Sequence, residues 1–221
     1  SMPYIGNIKV GHFKEPFRLE ALTSSKYITF MERALPIAFS PERNVGVMLH
    51  ESFMDDKLSI QAGLFREASS GNDKMIDDVR NITTRITFLP INNDNNLLHL
   101  GAAFSSRSSS DDTYSVSSRA ENHLGTKLLD MDLDNVTGMN LMGAEMAFVM
   151  GSFSVQGEYV MNSVEAMEDY SFSGYYGQVS YFLTGEKRKY KNSLAGFDRV
   201  KPNKNMKEGD GLGAFELAAR Y

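Results

Sequence analysis

The chain has 221 residues, of which 42% are hydrophobic and 23% charged, and its formal net charge is -5. This composition is typical of a folded protein and excludes an intrinsically disordered one. The absence of cysteine excludes a disulfide framework and a cysteine metal site, and the acidic balance argues against a nucleic-acid-binding protein.

Apolar and polar residues alternate along most of the chain, which predicts β-strands. In the first third of the chain, the predicted strands cover residues 4–13, 45–53 and 57–67. A tight turn is predicted at Met54, Asp55 and Asp56, and a polar loop over residues 68–79. Residues 14–44 have no clear period and contain three prolines, so they are predicted to be a long connection between the first two strands.

The stretch ITTRITFLPINNDNNLLHLGAAF, residues 82–104, predicts two strands around a turn at residues 90–96. In the first strand, Ile82, Ile86 and Phe88 share an apolar face, and Arg85 lies on the opposite, polar face. His99 occupies the matching polar face of the second strand. Residues 105–112 are predicted to be a loop, residues 114–119 a short strand, and residues 120–135 a polar, irregular segment.

The last third predicts strands at residues 136–150, 153–161, 172–184 and 212–221. A two-residue turn at Gly151 and Ser152 joins the first two, and a long charged loop over residues 185–211 precedes the last. The fold class is therefore all-β and antiparallel, with about ten strands joined alternately by tight turns and long polar loops. No repeat of 20–50 residues is present, so a propeller or solenoid is not expected.

No run of about 18 apolar residues occurs, so the sequence predicts no transmembrane helix. A transmembrane barrel strand needs only about 9–11 residues with every second one apolar, so a barrel is compatible with this sequence. The start, Ser1-Met2-Pro3, shows no signal peptide and resembles the remnant of an expression tag. We therefore expect the chain to begin inside a longer natural one.

Several stretches, in collinear order, resemble the phosphate-selective porin O and P family of Gram-negative outer membranes. They are IKVGHFKEPFRLEALTSSKYITFMERALPIAFSPER (residues 8–43), LLHLGAAFS (97–105), FSVQGEYV (153–160), FSGYYGQVSYFLTGEKRKYK (172–191) and GAFELAARY (213–221). Single short matches would be weak, but five in order cover most of the chain.

This resemblance implies an antiparallel transmembrane β-barrel of about sixteen strands in the outer membrane of a Gram-negative bacterium, usually a homotrimer. It implies passage of phosphate or other small anions, with outer-membrane lipid around the barrel. Residues 1–221 would form a single β-barrel domain that is a fragment of a longer porin, because the family continues after FELAARY. Such a fragment would leave two open sheet edges, which are costly in lipid.

The same resemblance implies that residues 14–44 fold inward as a constriction loop. The candidate anion-binding or pore residues are all basic: Lys14, Arg18, Lys26, Arg33 and Arg43 in this loop, and Arg85, Arg119 and Arg220 along the wall. Such groups replace an anion's lost hydration by charge-assisted hydrogen bonds, and conduction requires that each site be weak. Glutamates of the loop, among them Glu15 and Glu20, are expected to form salt bridges that hold its shape.

Each candidate also has a structural interpretation. Arg33 beside Glu32 can be a structural ion pair, and Arg85 can face solvent. His99 is expected to be a hydrogen-bonded wall residue, because no histidines pair at metal-ligand spacing. The run Lys187-Arg188-Lys189 is interpreted as a solvated loop.

No catalytic motif is present, so the sequence predicts neither an enzyme nor a cofactor nor a metal site. Three hypotheses follow. The first is a passive, anion-preferring outer-membrane channel. The second is a soluble β-rich binding domain that buries the apolar faces of its strands, and the third is a non-selective general diffusion porin.

Overall fold

The structure is a computed structural model that describes residues 6–66, 81–108, 113–122, 124–206 and 211–221. Within these ranges almost all regular structure is β. The strands are β1 Asn7–Lys14, β2 Arg43–Phe53, β3 Leu58–Arg66, β4 Asn81–Asn92, β5 Asn96–Ser108, β6 Thr113–Arg119, β7 Lys127–Asp134, β8 Gly138–Met150, β9 Phe153–Glu165, β10 Tyr170–Phe182, β11 Lys189–Lys191, β12 Gly196–Asp198 and β13 Glu216–Arg220. The helical elements are α1 Leu19–Leu22 and two 3-10 helices, Leu35–Phe39 and Asn192–Leu194.

Nine of these strands form one antiparallel sheet in the order β1-β2-β3-β4-β5-β8-β9-β10-β13. The hairpins β6–β7 and β11–β12 are separate. The predicted all-β, antiparallel fold class is therefore confirmed. Within the described ranges the sheet is open, because β1 and β13 each pair with a neighbour on one side only.

Three tight turns lie at one end of this sheet, the short-turn end, and the short β9–β10 connection at residues 166–169 lies at the other end. The turns at residues 54–57, 93–95 and 151–152 lie at one end, and the connection from β1 to β2 lies at the other, where Lys14 pairs with Arg43. The connection from β10 to β13 starts at the short-turn end, because Phe182 pairs with Glu216 and Tyr181 with Phe153. Two long segments therefore reach the sheet from opposite ends.

The two faces of the sheet have the reverse of the polarity found in a water-soluble protein. Apolar side chains point to the exposed face, where a row of neighbours runs across the strands from β3 to β10: Ile60, Ile86, Ala102, Ala144, Tyr159 and Tyr175. Polar side chains point to the covered face, and Thr83, Arg85 and Thr87 of β4 are at most 3% exposed. A soluble sheet buries its apolar face instead.

Two segments cover the polar face, and we name them by their residues. The first covering segment is residues 15–42, and the second covering segment is residues 186–200. Phe17 of the first packs into an apolar cluster with Leu141 and Val160 of the sheet. Leu19 and Phe197, one from each segment, share a second cluster with the inward-facing Leu89, Leu97, Ala147 and Val149. These apolar contacts hold both segments against the sheet.

The structure departs from several sequence predictions. β5 continues through Ser108, so the predicted loop at residues 105–112 begins later, and residues 109–112 lie outside the described ranges. β7 lies in the segment predicted to be irregular; its alternating aspartates, which are depleted in strands, obscured the apolar period. β11 and β12 lie in the predicted loop over residues 185–211, and each is only three residues long.

The remaining differences concern turns and boundaries. Pro90 belongs to β4 at a shift of register between Phe88 and Ile91, so the predicted turn at residues 90–96 is shorter. Such an irregularity accommodates a residue that has no backbone N–H to donate. The predicted polar loop at residues 68–79 and the predicted strand start at Tyr4 lie outside the described residues.

Candidate functional site

Strand alternation collects charged side chains on the covered polar face. Arg85 comes from β4, Arg107 from β5, Glu145 from β8 and Glu158 from β9, and each is less than 9% exposed. Removing a charge from water is costly unless a partner of opposite charge and further hydrogen bonds replace the water. The contacts of these residues therefore decide what the face can do.

The first covering segment is held on the sheet by two reciprocal ion pairs. Glu15 accepts hydrogen bonds from Arg107 Nη1 at 3.0 Å and from Asn44 Nδ2 at 2.6 Å, and a further one from the Thr83 hydroxyl. Three residues later, Arg18 Nε donates to Glu158 Oε2 at 2.5 Å. The segment thus contributes the carboxylate of one ion pair and the guanidinium of the other.

Arg18 is held in an unusual backbone conformation, with φ 139°. Such a φ in a residue other than glycine costs on the order of 1–3 kcal/mol and persists only when its surroundings enforce it. Here the enforcing contacts are with Glu158, which also accepts a hydrogen bond from the backbone N–H of Glu20 at 2.6 Å. Burial by itself lowers the pKa of Arg18, but the negative charges of Glu158, Tyr176 and Glu20 and the hydrogen bond to Glu158 together raise the pKa above its ordinary value.

A second network lies within the sheet itself. Arg85 donates to Glu145 Oε1 from Nε at 2.9 Å and from Nη2 at 2.5 Å, and Nη2 also donates to the carbonyl of Ala195 at 2.9 Å. His99 bridges Glu145 and Tyr190, with Nε2 2.9 Å from the carboxylate and Nδ1 2.8 Å from the hydroxyl. Both ring nitrogens of His99 are therefore occupied.

Gly101 makes room for this network. It lies opposite Glu145 in the β5–β8 register, and a Cβ at this position would collide with the Glu145 carboxylate and its Cγ. The glycine therefore lets Glu145 lie across β5 towards Arg85 and His99.

Glu20 connects the first covering segment to the last strand. Its carboxylate accepts a hydrogen bond from the backbone N–H of Ala34 at 2.9 Å and lies 3.2 Å from Arg220 Nη1. Arg220 also binds Glu121 and stacks over the ring of Phe30 at 4.3 Å. Burial, and then the negative charge of Glu158, raise the pKa of Glu20 above its ordinary value.

A chain of hydrogen bonds links the two covering segments through the sheet. Arg188 Nη1 of the second covering segment donates to Gln156 Oε1 at 2.8 Å, and Gln156 Nε2 donates to the Tyr176 hydroxyl at 2.5 Å. Tyr176 in turn donates to Glu158 Oε1 at 3.1 Å, and Glu158 holds Arg18. The arginines at the two ends thus have different partners: a carboxylate for Arg18 and a neutral amide for Arg188.

Two clefts border the second covering segment. One, of about 290 Å³, is lined by residues of both segments, among them Lys26, Ile28, Arg188 and Arg199, and by Glu216. The other, of about 560 Å³, lies at the short-turn end beside residues 92–96 and is lined by Lys187, Arg188, Lys189 and Lys201, with Asp94 and Glu186. Arg188 borders both.

The predicted site residues fall into two groups. Arg18, Arg85 and Arg220 bind carboxylates, Lys14 contacts the carbonyl of Ala21 and lies 3.8 Å from Glu42, and Arg33 donates to the carbonyls of Glu20 and Thr23 at 3.1 and 3.0 Å. Lys26, Arg43 and Arg119 are exposed. Glu20 brings Arg18 and Arg220 together, whereas Arg43 and Arg119 make no contact with that group. Whether any of the eight binds an anion stays a prediction.

Sequence reasoning missed four residues of the covered face, namely Arg107, Glu145, Glu158 as a partner of Arg18, and Arg188. Arg107 continues the polar face of Ser105, so extending the alternation beyond Phe104 would have found it. Glu145 is the one carboxylate in the otherwise apolar or small-residue stretch LMGAEMAFVM, and such a residue needs a partner. No local signal separates Arg188 from the lysines on either side of it.

The described residues offer no metal site and no helical membrane span. No group of three or more possible metal ligands is found among them. None of the helices in the described ranges combines the length and the hydropathy needed to cross a bilayer.

Comparison with known proteins identifies the family. The sequence profile described as "Phosphate-selective porin O and P" matches residues 4–221. Porin O of Pseudomonas aeruginosa is 31% identical over 255 aligned residues, which cover 100% of this chain and 56% of that protein. An uncharacterised protein of Caulobacter vibrioides is 28% identical, over 97% of this chain and 45% of its own length. The chain thus spans about half the length of the curated relatives that it matches, and it belongs to the phosphate-selective porin O and P family.

Proposed function

We propose that this chain forms part of the wall and the constriction of a passive, anion-preferring channel in the outer membrane of a Gram-negative bacterium. Phosphate or related small anions are the proposed solutes. The observation that carries the proposal is the reversed polarity of the sheet. An apolar face of this extent is stable against lipid and unfavourable against water.

The covered face supports the same proposal. Residues 14–44 are the proposed constriction loop, because residues 15–21 lie against the polar side chains that would face the lumen. The ion pairs of Glu15 and Arg18 fix this loop, so the lumen would keep a defined width. The proposed role is transport by diffusion, and neither catalysis nor a cofactor enters it.

In lipid, the backbone groups of an open sheet edge must be paired. The proposed barrel therefore requires further strands beside β1 and β13, from the rest of a longer chain or from neighbouring copies. A closed barrel of about sixteen strands, assembled as a homotrimer and surrounded by outer-membrane lipid, is the proposed final form.

Channel recording tests this function. In a planar lipid bilayer under a salt gradient, the reversal potential should have the sign of anion flow, and added phosphate should reduce the chloride current. A cation-selective or zero reversal potential would contradict the anion preference. Unchanged gel mobility on heating in detergent would contradict the barrel, and monodisperse behaviour without detergent would favour a soluble binding domain.

A non-selective diffusion porin is the second candidate, and one observation favours it. Carboxylates bind Arg18, Arg85 and Arg220, which lowers the positive charge that a passing anion would meet. Replacing Arg33 and Arg43 by alanine distinguishes the two candidates. A weaker anion preference in the double variant supports selectivity in the constriction loop, and an unchanged preference supports the general pore.

A further inference from the structure

Arg188 differs from the other buried arginines of the covered face. Arg18, Arg85 and Arg107 each have a carboxylate oxygen within 3.0 Å. Arg188 is 7% exposed, but among the described residues no carboxylate lies within ion-pair distance of it. Its guanidinium donates one hydrogen bond to the neutral Gln156 and stacks over Phe197 at 3.7 Å.

The charge of Arg188 is therefore incompletely balanced. Burial lowers its pKa to about 10, and the negative charge of Glu216, with smaller contributions from Tyr176 and Glu20, opposes this only from longer range. A buried cation in this situation gains from any anion that can reach it. The two clefts that Arg188 borders give such access, and in both of them cations outnumber carboxylates.

Glu216 adds a second, independent feature to the smaller cleft. Its Oε1 is buried and has no hydrogen-bond partner among the described residues, and Gln178 Oε1, in a small space that Arg188 also borders, is in the same condition. Both are acceptors, so what they lack is a donor. A buried acceptor without a donor costs free energy, because the group has lost its hydrogen bonds to water and gained none in return.

One class of anion satisfies the arginine and the acceptors together. Near neutral pH, inorganic phosphate retains at least one proton, so it can accept hydrogen bonds from a guanidinium and donate an O–H to a carboxylate. Sulfate is fully deprotonated under the same conditions and would only be repelled by Glu216. An anion site that contains an unpaired acceptor therefore discriminates between these two oxyanions.

We propose that Arg188 and Glu216 form a weak selectivity site for protonated oxyanions of the inorganic phosphate class, with Lys26 and Arg199 attracting the anion into the cleft. Its place on a permeation path rests on the proposed channel function, whereas binding itself does not. The site lies where the two covering segments meet, at the cleft that residues of both segments line.

Calorimetric titration of the detergent-solubilised protein with inorganic phosphate and with sulfate, at neutral pH and constant ionic strength, tests the site. The unmodified protein should bind phosphate more tightly than sulfate. Arg188→Gln should weaken phosphate binding by about tenfold or more, the loss expected for a charge-assisted hydrogen bond. Glu216→Gln should narrow the preference for phosphate, because sulfate is no longer repelled. Lys191→Gln is the matched control, since this exposed lysine of the same segment lines neither cleft.

Three results would each overturn the site: equal affinity of the unmodified protein for the two anions, phosphate binding by Arg188→Gln as in the unmodified protein, or an unchanged preference in Glu216→Gln. If Arg188→Gln does not fold, the Glu216→Gln titration decides alone. Bilayer recording separates the two proposals. Phosphate binding that depends on Arg188 in a protein without anion preference overturns the channel function and supports the site. Anion preference without such binding supports the function and overturns the site.

Discussion

Both covering segments pack apolar side chains against the same face of the sheet, but only the first adds ion pairs to these contacts. The first forms two ion pairs with the sheet, one between Glu15 and Arg107 and one between Arg18 and Glu158. The second forms no ion pair with the sheet among the described residues. It is held by hydrogen bonds, from Arg188 to the neutral Gln156 and from Arg85 to the carbonyl of Ala195, and by the packing of Phe197 against the sheet. A charged side chain that already forms an ion pair within the protein is not available to bind a solute.

This difference assigns separate roles to the two segments. The first gives the covered face a fixed shape, because removing either member of a buried ion pair leaves an uncompensated charge behind. The second keeps its cations available, since Lys187 and Lys189 line an open cleft. The number of arginines on a proposed pore wall is therefore a poor guide to anion binding unless the partner of each one is known.

The largest expected effect comes from breaking the ion pair of the first covering segment. Arg18→Ala leaves Glu158 buried without its cation and should lower the free energy of unfolding by about 3–5 kcal/mol. Arg43→Ala removes an exposed arginine and is the matched control, with an expected change within about 0.5 kcal/mol. Denaturant titration of both variants in detergent, followed by circular dichroism, measures the difference. Equal losses would mean that the first covering segment is not held by its charges.

A smaller effect is expected at the network within the sheet. Gly101→Ala places a methyl group against the Glu145 carboxylate and should destabilise the protein by about 1–3 kcal/mol, as overpacking does. Gly177→Ala is the control, because a Cβ there meets nothing within 4 Å. The same denaturant titration compares the two variants. A larger loss of stability in Gly177→Ala than in Gly101→Ala would show that the protein does not need the space beside Gly101.

Much of the fold was predictable because strand alternation is a local property of the sequence. The opposite faces of Ile82 and Arg85, and the place of His99 on the polar face, followed from a period of two. The pairing of charges was not predictable in this way. Arg18 and Glu158 are 140 residues apart, and Arg85 reaches Glu145 because β5 pairs with β8 and bypasses β6 and β7. Such pairs depend on strand order, which alternation does not encode.

The smallest expected effect is a pH dependence at the junction of the first covering segment with β13. The pKa of Glu20 is higher in the folded state than its ordinary value of 4.5, first because of burial and then because of the Glu158 charge. The folded state therefore holds the proton of Glu20 more tightly than the unfolded state does. The stability that this provides is fully present below pH 4.5 and is lost as the pH rises through the folded-state pKa.

Glu20→Gln should remove this part of the pH dependence, because an amide cannot take up the proton. It should keep the hydrogen bond that Glu20 accepts from the backbone N–H of Ala34. Free energies of unfolding measured from pH 4 upwards, for the unmodified protein, for Glu20→Gln and for the exposed control Glu42→Gln, test this expectation. The unmodified protein and Glu42→Gln should lose stability across the window above pH 4.5 in parallel, with a steeper slope than Glu20→Gln. Three parallel curves would mean that the interactions of Glu20 with Arg220 and Arg18 already offset its burial, so that this junction is as well balanced as the ion pairs beside it.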